Sequence, residues 1–241
     1  MARAAAEAGT AVLAATPHLH ENFPGVHPAE TAAATARLQA EIDAAGIPLR
    51  IVCGAEVSIL WAADRARKDD LALARYGQRG TDILLETPSE PWLIEPMVRR
   101  LQQQGFRVTL AHPERSRWFY TEPSRLARLV EQDVLLQIDA DALLADARSP
   151  VRRLAEHLCR GGLAHVIASD GHSAQPPRSV TLLAAALETL ETLVGPERAR
   201  WMTIDAPRAI VEGQPLPEAP ALPPPEQSSV WRRLRNARPR D

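Results

Sequence analysis

The stretch VTLAHPERSRWF, residues 108–119, passes from a strand pattern into an imidazole, a carboxylate and a guanidinium within four residues. Val108, Thr109, Leu110 and Ala111 have the β-branched and apolar character of a strand covered on both faces. A strand that only had to stop would end on Gly, Asn, Asp or Pro. His112, Glu114 and Arg115 stand there instead, and among them His112 offers a metal ligand and Arg115 a clamp for phosphate.

The same transition recurs along the chain. Apolar runs end in polar or ionisable residues in AVLAATPHLH (11–20), LRIVCGAEV (49–57), DILLETP (82–88), VTLAHPER (108–115), VLLQIDAD (134–141) and HVIASDGH (165–172). WMTIDAP (201–207) reads as a weaker seventh run. Helical segments lie between them. HPAETAAATARLQAEIDAAG (27–46) has Pro near its start and Gly at its end, as helix punctuation requires. SEPWLIEPMVRRLQQQG (89–105), TEPSRLARLVEQ (121–132) and SPVRRLAEHLCRGG (149–162) each open on a capping Ser or Thr and an early Pro. MARAAAEAG reads as an Ala-rich helix feeding the first run. Such alternation predicts parallel strands joined by crossover helices. Six or seven units suit a (β/α) barrel better than an open sheet. The ionisable residues fall at the C-terminal ends of the runs, where barrels build active sites.

Composition narrows the field. The 241-residue chain is 45% hydrophobic, enough for one large α/β domain or two small ones. Lys and Arg total 28 against 30 Asp and Glu, so no general basic surface recruits nucleic acid. No run is long and apolar enough to span a membrane, and the start lacks a signal-peptide core, so a cytoplasmic protein is expected. Cys53 and Cys159 make no disulfide framework and are expected to be small core residues. Neither serves a cysteine-based phosphatase, because the positions that would supply its arginine are Ile59 and His165. From Pro215 the composition changes. PLPEAPALPPP holds six prolines and predicts an extended linker after a domain spanning 1–214, followed by an Arg-rich, disordered tail to residue 241.

Collected, the strand-end residues are His18, Glu56, Glu86, His112, Asp170 and His172. They mix imidazole nitrogen with carboxylate oxygen and include no thiolate, which suits a hydrolytic metal cluster and not a closed structural zinc site. Metals in such clusters lower the pKa of water and clamp attacking and leaving oxygens. Arg115 and Arg178, close in sequence to these residues, have the guanidinium forks that hold phosphoryl oxygens. His20 and His27 belong to a loop and are given no metal role. His157 lies within a helix and His165 at a strand start, so both are read as structural.

In their order, ATPH, GAEV, LLETP, AHPER and ASDGHS followed by Arg178 resemble the polymerase-and-histidinol-phosphatase (PHP) superfamily. The closest resemblance is to the bacterial manganese-dependent protein-tyrosine phosphatases of capsule and exopolysaccharide operons, the CpsB/CapC kind. It covers roughly residues 8–215, down to IDAPRAIVEGQPLP. It implies an α/β fold, a distorted (β/α)7 TIM-like barrel, with up to three manganese ions at its strand ends. It implies that Glu56 bridges two metals, that Glu86 and His112 complete one site, that Asp170 serves the second metal, and that His18 and His172 serve the third. Arg115 and Arg178 would bind substrate phosphate, and the substrate would be a phosphotyrosine protein, a bacterial tyrosine kinase. A small-molecule (histidinol- or sugar-phosphate) phosphatase and a catalytically impaired regulator are the alternatives. The family's first strand, with its His-x-His pair, has no counterpart, since MARAAAEAG matches the helix after it. A translation start assigned too far downstream, or a shortened chain with fewer metals, would each account for this.

Overall fold

A computed structural model of the chain describes residues 1–64 and 68–224. Its strands are β1 (Val12–Ala15), β2 (His18–Leu19), β3 (Arg50–Cys53), β4 (Glu56–Val57), β5 (Asp82–Glu86), β6 (Arg107–Ala111), β7 (Leu135–Asp139) and β8 (Val166–Ala168). All pairings are parallel: β1 with β3, and β2-β4-β5-β6-β7-β8 as one six-stranded sheet. β1 and β2 are two halves of one run, interrupted at Thr16–Pro17, where proline has no N–H to give to a ladder. β3 and β4 are likewise split at Gly54–Ala55. Neighbours in space follow the order of the chain, as crossover connections through helices require.

Two-residue alternation decides what faces where. Leu19, Val57, Ile83, Leu85, Val108, Leu110, Leu136, Ile138 and Ile167 belong to the large core shared with the helices. Their alternates Leu84, Ala111, Leu135 and Val166 belong to a smaller cluster on the other face, with Tyr76 and Ile210. His18, Glu56, Glu86 and Asp139 share the parity of this second face. The register sets His18 beside Glu56 and Glu86 beside Ala111. At the opposite end of that face Asp82, fully buried, accepts two bonds from Arg107 at 2.5 and 2.9 Å.

Several sequence expectations need correction. WMTIDAP is not a strand: Trp201–Asp205 forms a π-helical turn between the helices Pro196–Arg200 and Ala206–Glu212. Trp201 and Met202 are buried there, and the Arg198 guanidinium lies 4.5 Å from the Trp201 ring centroid. Six strand runs therefore make the sheet among the described residues. Ser89 and Thr121 do not cap; the helical turns after them begin at Pro91 and Ser124, where proline or its neighbour supplies the entry geometry. Ser149 does cap, accepting from Arg152 N at 3.2 Å. Cys159 is buried, but Cys53 is only half-buried.

The domain does not end at residue 214. Leu216, Ala219 and Leu222 pack on the core, while Trp201 Nε1 and Arg198 Nη1 donate to the carbonyls of Pro217 and Pro220. A proline-rich segment costs little entropy to hold extended, so residues 214–224 lie as a strap along the body. The remainder of the expected linker and the Arg-rich tail, from residue 225 on, lies outside the described residues.

Candidate metal and phosphate site

His18, Glu56 and Glu86 bring one ligand atom each to within 4.8 Å of the others. Glu56 is the hub. Its Oε2 lies 3.4 Å from His18 Nδ1 and its Oε1 lies 2.8 Å from His112 Nε2. Strand alternation alone would send the His112 side chain outward with Leu110. A left-handed backbone at His112 (φ 38°, ψ 49°) turns it back toward Glu56 while its N–H still bonds Gln137 O at 2.8 Å. Such a conformation is costly for a non-glycine residue, and it clusters at functional sites. Pro113 then opens a short 3-10 turn that carries Arg115 over the same end of the sheet.

Electrostatics favours a cation here. Burial first, and then the neighbouring Glu56 charge, raise the pKa of Glu86. Burial opposes a charge on His112, but the bond to Glu56 and the nearby Asp139 carboxylate outweigh it, so its pKa rises to about 9. The Glu56–His112 pair thus keeps a proton where a metal would supply the charge. His18 Nδ1 is buried and has no hydrogen-bond partner among the described residues. An orphaned imidazole nitrogen aimed at two carboxylates fits a divalent ion with mixed N and O ligands.

Asp170 and His172 are next to this group. The His172 ring lies 6.0 Å from that of His18, and its Nδ1 is 2.9 Å from Asp170 O. Asp170 also has left-handed backbone (φ 45°). Gly171 has to be glycine, since a Cβ there would meet Val180 at 2.7 Å. The loop folds back through His172 N and Ser173 N, which donate to Arg178 O at 2.8 and 3.0 Å. This closure returns the Arg178 side chain to Asp170, whose Oδ2 accepts from Nη2.

Of the residues expected to hold metal, His18, Glu56 and Glu86 come together as one triad, with His112 on the other oxygen of Glu56. His20, given no metal role, has Nε2 4.0 Å from Glu86. Sequence reasoning passed over three carboxylates. Asp139 and Asp141 bind Arg115, and Glu114, wholly buried, accepts from Asp139 N at 2.8 Å. Burial foremost, and then Asp139, raise the pKa of Glu114, so it is the protonated partner of the two. The run ending in IDAD was the available signal. His157 and His165 stand away from the group, and burial lowers the pKa of His165 to about 4, which keeps it neutral.

Residues 1–212 match the family described as capsular polysaccharide synthesis, CpsB/CapC. The chain belongs to that family. A CpsB/CapC relative, the tyrosine-protein phosphatase YwqE of Bacillus subtilis, is 31% identical over 212 residues, covering 86% of this chain and 80% of the relative. CapC of Staphylococcus aureus is 36% identical over 93 residues, 38% of this chain and 36% of its own. The fold also matches a solved CpsB/CapC structure. It comes from crystal structures of YwqE and of CpsB from Streptococcus pneumoniae, described as unique metal-dependent tyrosine phosphatases. The TM-score is 0.78 at 28% identity, covering 92% of this chain and 89% of that one. No helix among the described residues is long and apolar enough to cross a membrane.

Proposed function

We propose that this chain is a metal-dependent phosphatase that removes phosphate from tyrosine on a protein, a tyrosine kinase controlling capsular or exopolysaccharide synthesis, in the cytoplasm. The observation that carries the reading is the convergence of His18, Glu56, Glu86 and His112 on one end of the sheet, with Arg115 and Arg178 on the adjoining loops. His18, Glu56, Glu86 and His112 would hold metal, and Asp170 and His172 would extend the cluster beside His18. Manganese is the ion we assign. Once bound, the metal lowers the pKa of water and offsets charge on the phosphoryl oxygens. Arg115 and Arg178 orient the phosphate through charge-assisted bonds and stabilise the charge that spreads over its oxygens as the bond to the phenolic oxygen breaks.

Exposed aromatics favour a protein over a small phosphoester. Phe23, Trp92 and Trp118 are 51%, 55% and 50% exposed, on the segments leaving β2, β5 and β6. The two tryptophans meet edge to face at 6.1 Å, and Trp118 Nε1 donates to Ser89 O at 3.1 Å. A small substrate has no use for apolar surface beyond its phosphate, whereas a polypeptide does.

The deciding experiment supplies manganese and compares phosphotyrosine peptides with histidinol phosphate and sugar phosphates. Peptide turnover should dominate; a preference for either small ester would overturn the protein assignment. Trp118→Ala should lower kcat/KM for a phosphotyrosine peptide by about tenfold, on the scale of a lost aromatic contact, while leaving a small aryl phosphate within about twofold. Equal losses on both would place Trp118 in the chemistry and not in substrate selection. Arg178→Ala should lose about tenfold to a hundredfold in turnover, since a charge-assisted bond contributes roughly 1.5–3 kcal/mol. Elemental analysis should find its metal content nearly unchanged.

A further inference from the structure

Two carboxylates hold the Arg115 guanidinium. Nε donates to Asp139 Oδ2 at 2.6 Å, and Nη2 donates to both oxygens of Asp141 at 2.8 Å. Nε and Nη2 form one edge of the planar group, so that edge is committed. Nη1, at the other corner, has no acceptor among the described residues, and the Arg115 side chain is 38% exposed. Asp139, the last residue of β7, is 0% exposed, and its own backbone N–H is pinned by Glu114. Asp141 follows on the helix Ala140–Leu144 and is partly open to solvent.

Burying a carboxylate is unfavourable unless a partner compensates it. Asp139 has Arg115 on one oxygen, and Oδ1 has no hydrogen-bond partner among the described residues. Packing alone does not call for a charge here: mid-face the same strands place Leu84, Ala111 and Leu135 beside the neutral Thr109 and Gln137, and the other fully buried carboxylate of this face, Asp82, has both oxygens paired with Arg107. The buried charge at Asp139 therefore asks for a reason outside packing.

We infer that Asp139 and Asp141 are positioning residues, which fix the Arg115 guanidinium so that Nη1 is presented to the phosphoryl group. This rests on the reading of Arg115 as a phosphate clamp. The two carboxylates have two opposing effects. They offset the charge of Arg115, which weakens its pull on phosphate, and they freeze a long side chain whose rotamer freedom binding would otherwise have to remove. Geometry decides between these effects. A carboxylate competing with phosphate would cover the outward end of the fork; these two hold the Nε–Nη2 edge and leave Nη1 open. Asp139 supplies the fixed anchor, because its backbone is within the sheet. Asp141 supplies the second point that stops rotation about the first.

The test uses the full chain loaded with manganese, read by calorimetric binding of inorganic phosphate and by turnover of a phosphotyrosine peptide. Asp141→Asn and Asp139→Asn should each weaken phosphate binding and raise KM roughly three- to tenfold, the scale of rotamer freedom regained by one arginine. Neither should lower kcat or manganese content comparably. Asp141→Glu, which keeps the charge and the bidentate reach, should recover most of the loss. In an Arg115→Ala background, Asp141→Asn should add nothing, because its effect passes through the guanidinium; a merely structural carboxylate would give an additive loss. If Asp139→Asn does not fold, the Asp141 series carries the test alone. Should Arg115→Ala weaken phosphate binding while both Asn variants bind as the wild type does, the clamp stands and the positioning role falls. Tighter phosphate binding in the Asn variants would mean that the carboxylates compete with phosphate, which also overturns the proposal. No effect of Arg115→Ala on phosphate binding would remove the clamp itself, and this inference with it.

Discussion

Replacing Glu56 by Gln is expected to lower turnover of a phosphotyrosine peptide by about a thousandfold or more and to leave the purified protein short of metal. The size follows from the position of this one side chain. Glu56 touches His18 Nδ1 at 3.4 Å and His112 Nε2 at 2.8 Å, and it lies within the same 4.8 Å group as Glu86. Gln keeps the volume and one acceptor oxygen but removes the charge that draws a cation to two imidazoles. Electrostatic stabilisation by a metal contributes several kcal/mol to a hydrolytic transition state, and each 1.36 kcal/mol is a factor of ten in rate. The fold should survive, because Gln still accepts from His112. Glu114→Gln is the matched control. Glu114 is just as buried and two residues from His112, but it serves Asp139 N, so its variant should retain metal. Measuring manganese per chain in both variants separates a ligand from a buried acid. Equal metal content in the two would remove Glu56 from the centre of the site.

How far the sequence could be read depends on which physical signal each residue leaves. His18, Glu56 and Glu86 were legible because each ends an apolar run, and period-two alternation puts them on the inner face with Leu84 and Leu135. His112 was legible as a residue, but not the left-handed turn that swings it from the outer parity to Glu56. Nothing in LAHPE announces a positive φ at histidine; the following Pro113 only makes a break there unsurprising. Asp139 and Asp141 were harder. Their meaning comes from Arg115, two dozen residues earlier in the turn after the neighbouring strand, and residue type alone does not reveal a pair made between neighbouring strand ends. WMTIDAP misled because a run of that length suits a strand and a buried helical turn equally well. The strap at 214–224 misled in the opposite sense. Proline density predicts an extended chain, but Leu216, Ala219 and Leu222 recur every third residue, which in an extended, threefold conformation aligns them on one side. Composition was read there, and spacing was not.

Manganese affinity is expected to rise about a hundredfold between pH 6 and pH 8, and His112 is the reason. In the metal-free protein its pKa stands at about 9, with burial overcome by the bond to Glu56 and the Asp139 charge. The atom that holds the proton, Nε2, is the one facing Glu56, so proton and metal compete for it. While pH remains below that pKa, each unit removes the competing proton tenfold more often, and affinity climbs accordingly. Stability of the metal-free chain should move in the opposite direction. A histidine whose folded pKa lies above its ordinary 6.5 contributes fully below pH 6.5, and the contribution is lost as pH rises through about 9. The shift corresponds to an effect on the order of 3 kcal/mol. Metal-free protein should therefore melt progressively lower from pH 7 to pH 9.5. With manganese saturating, the ion occupies the place of the proton and the melting temperature should hold nearly level across that range. The measurements are calorimetric titration of manganese at three pH values and paired melts with and without metal. His112→Ala should bind manganese weakly and with a much shallower pH slope. A slope unchanged in that variant would assign the competing proton to another group and break the link between His112, Glu56 and the metal.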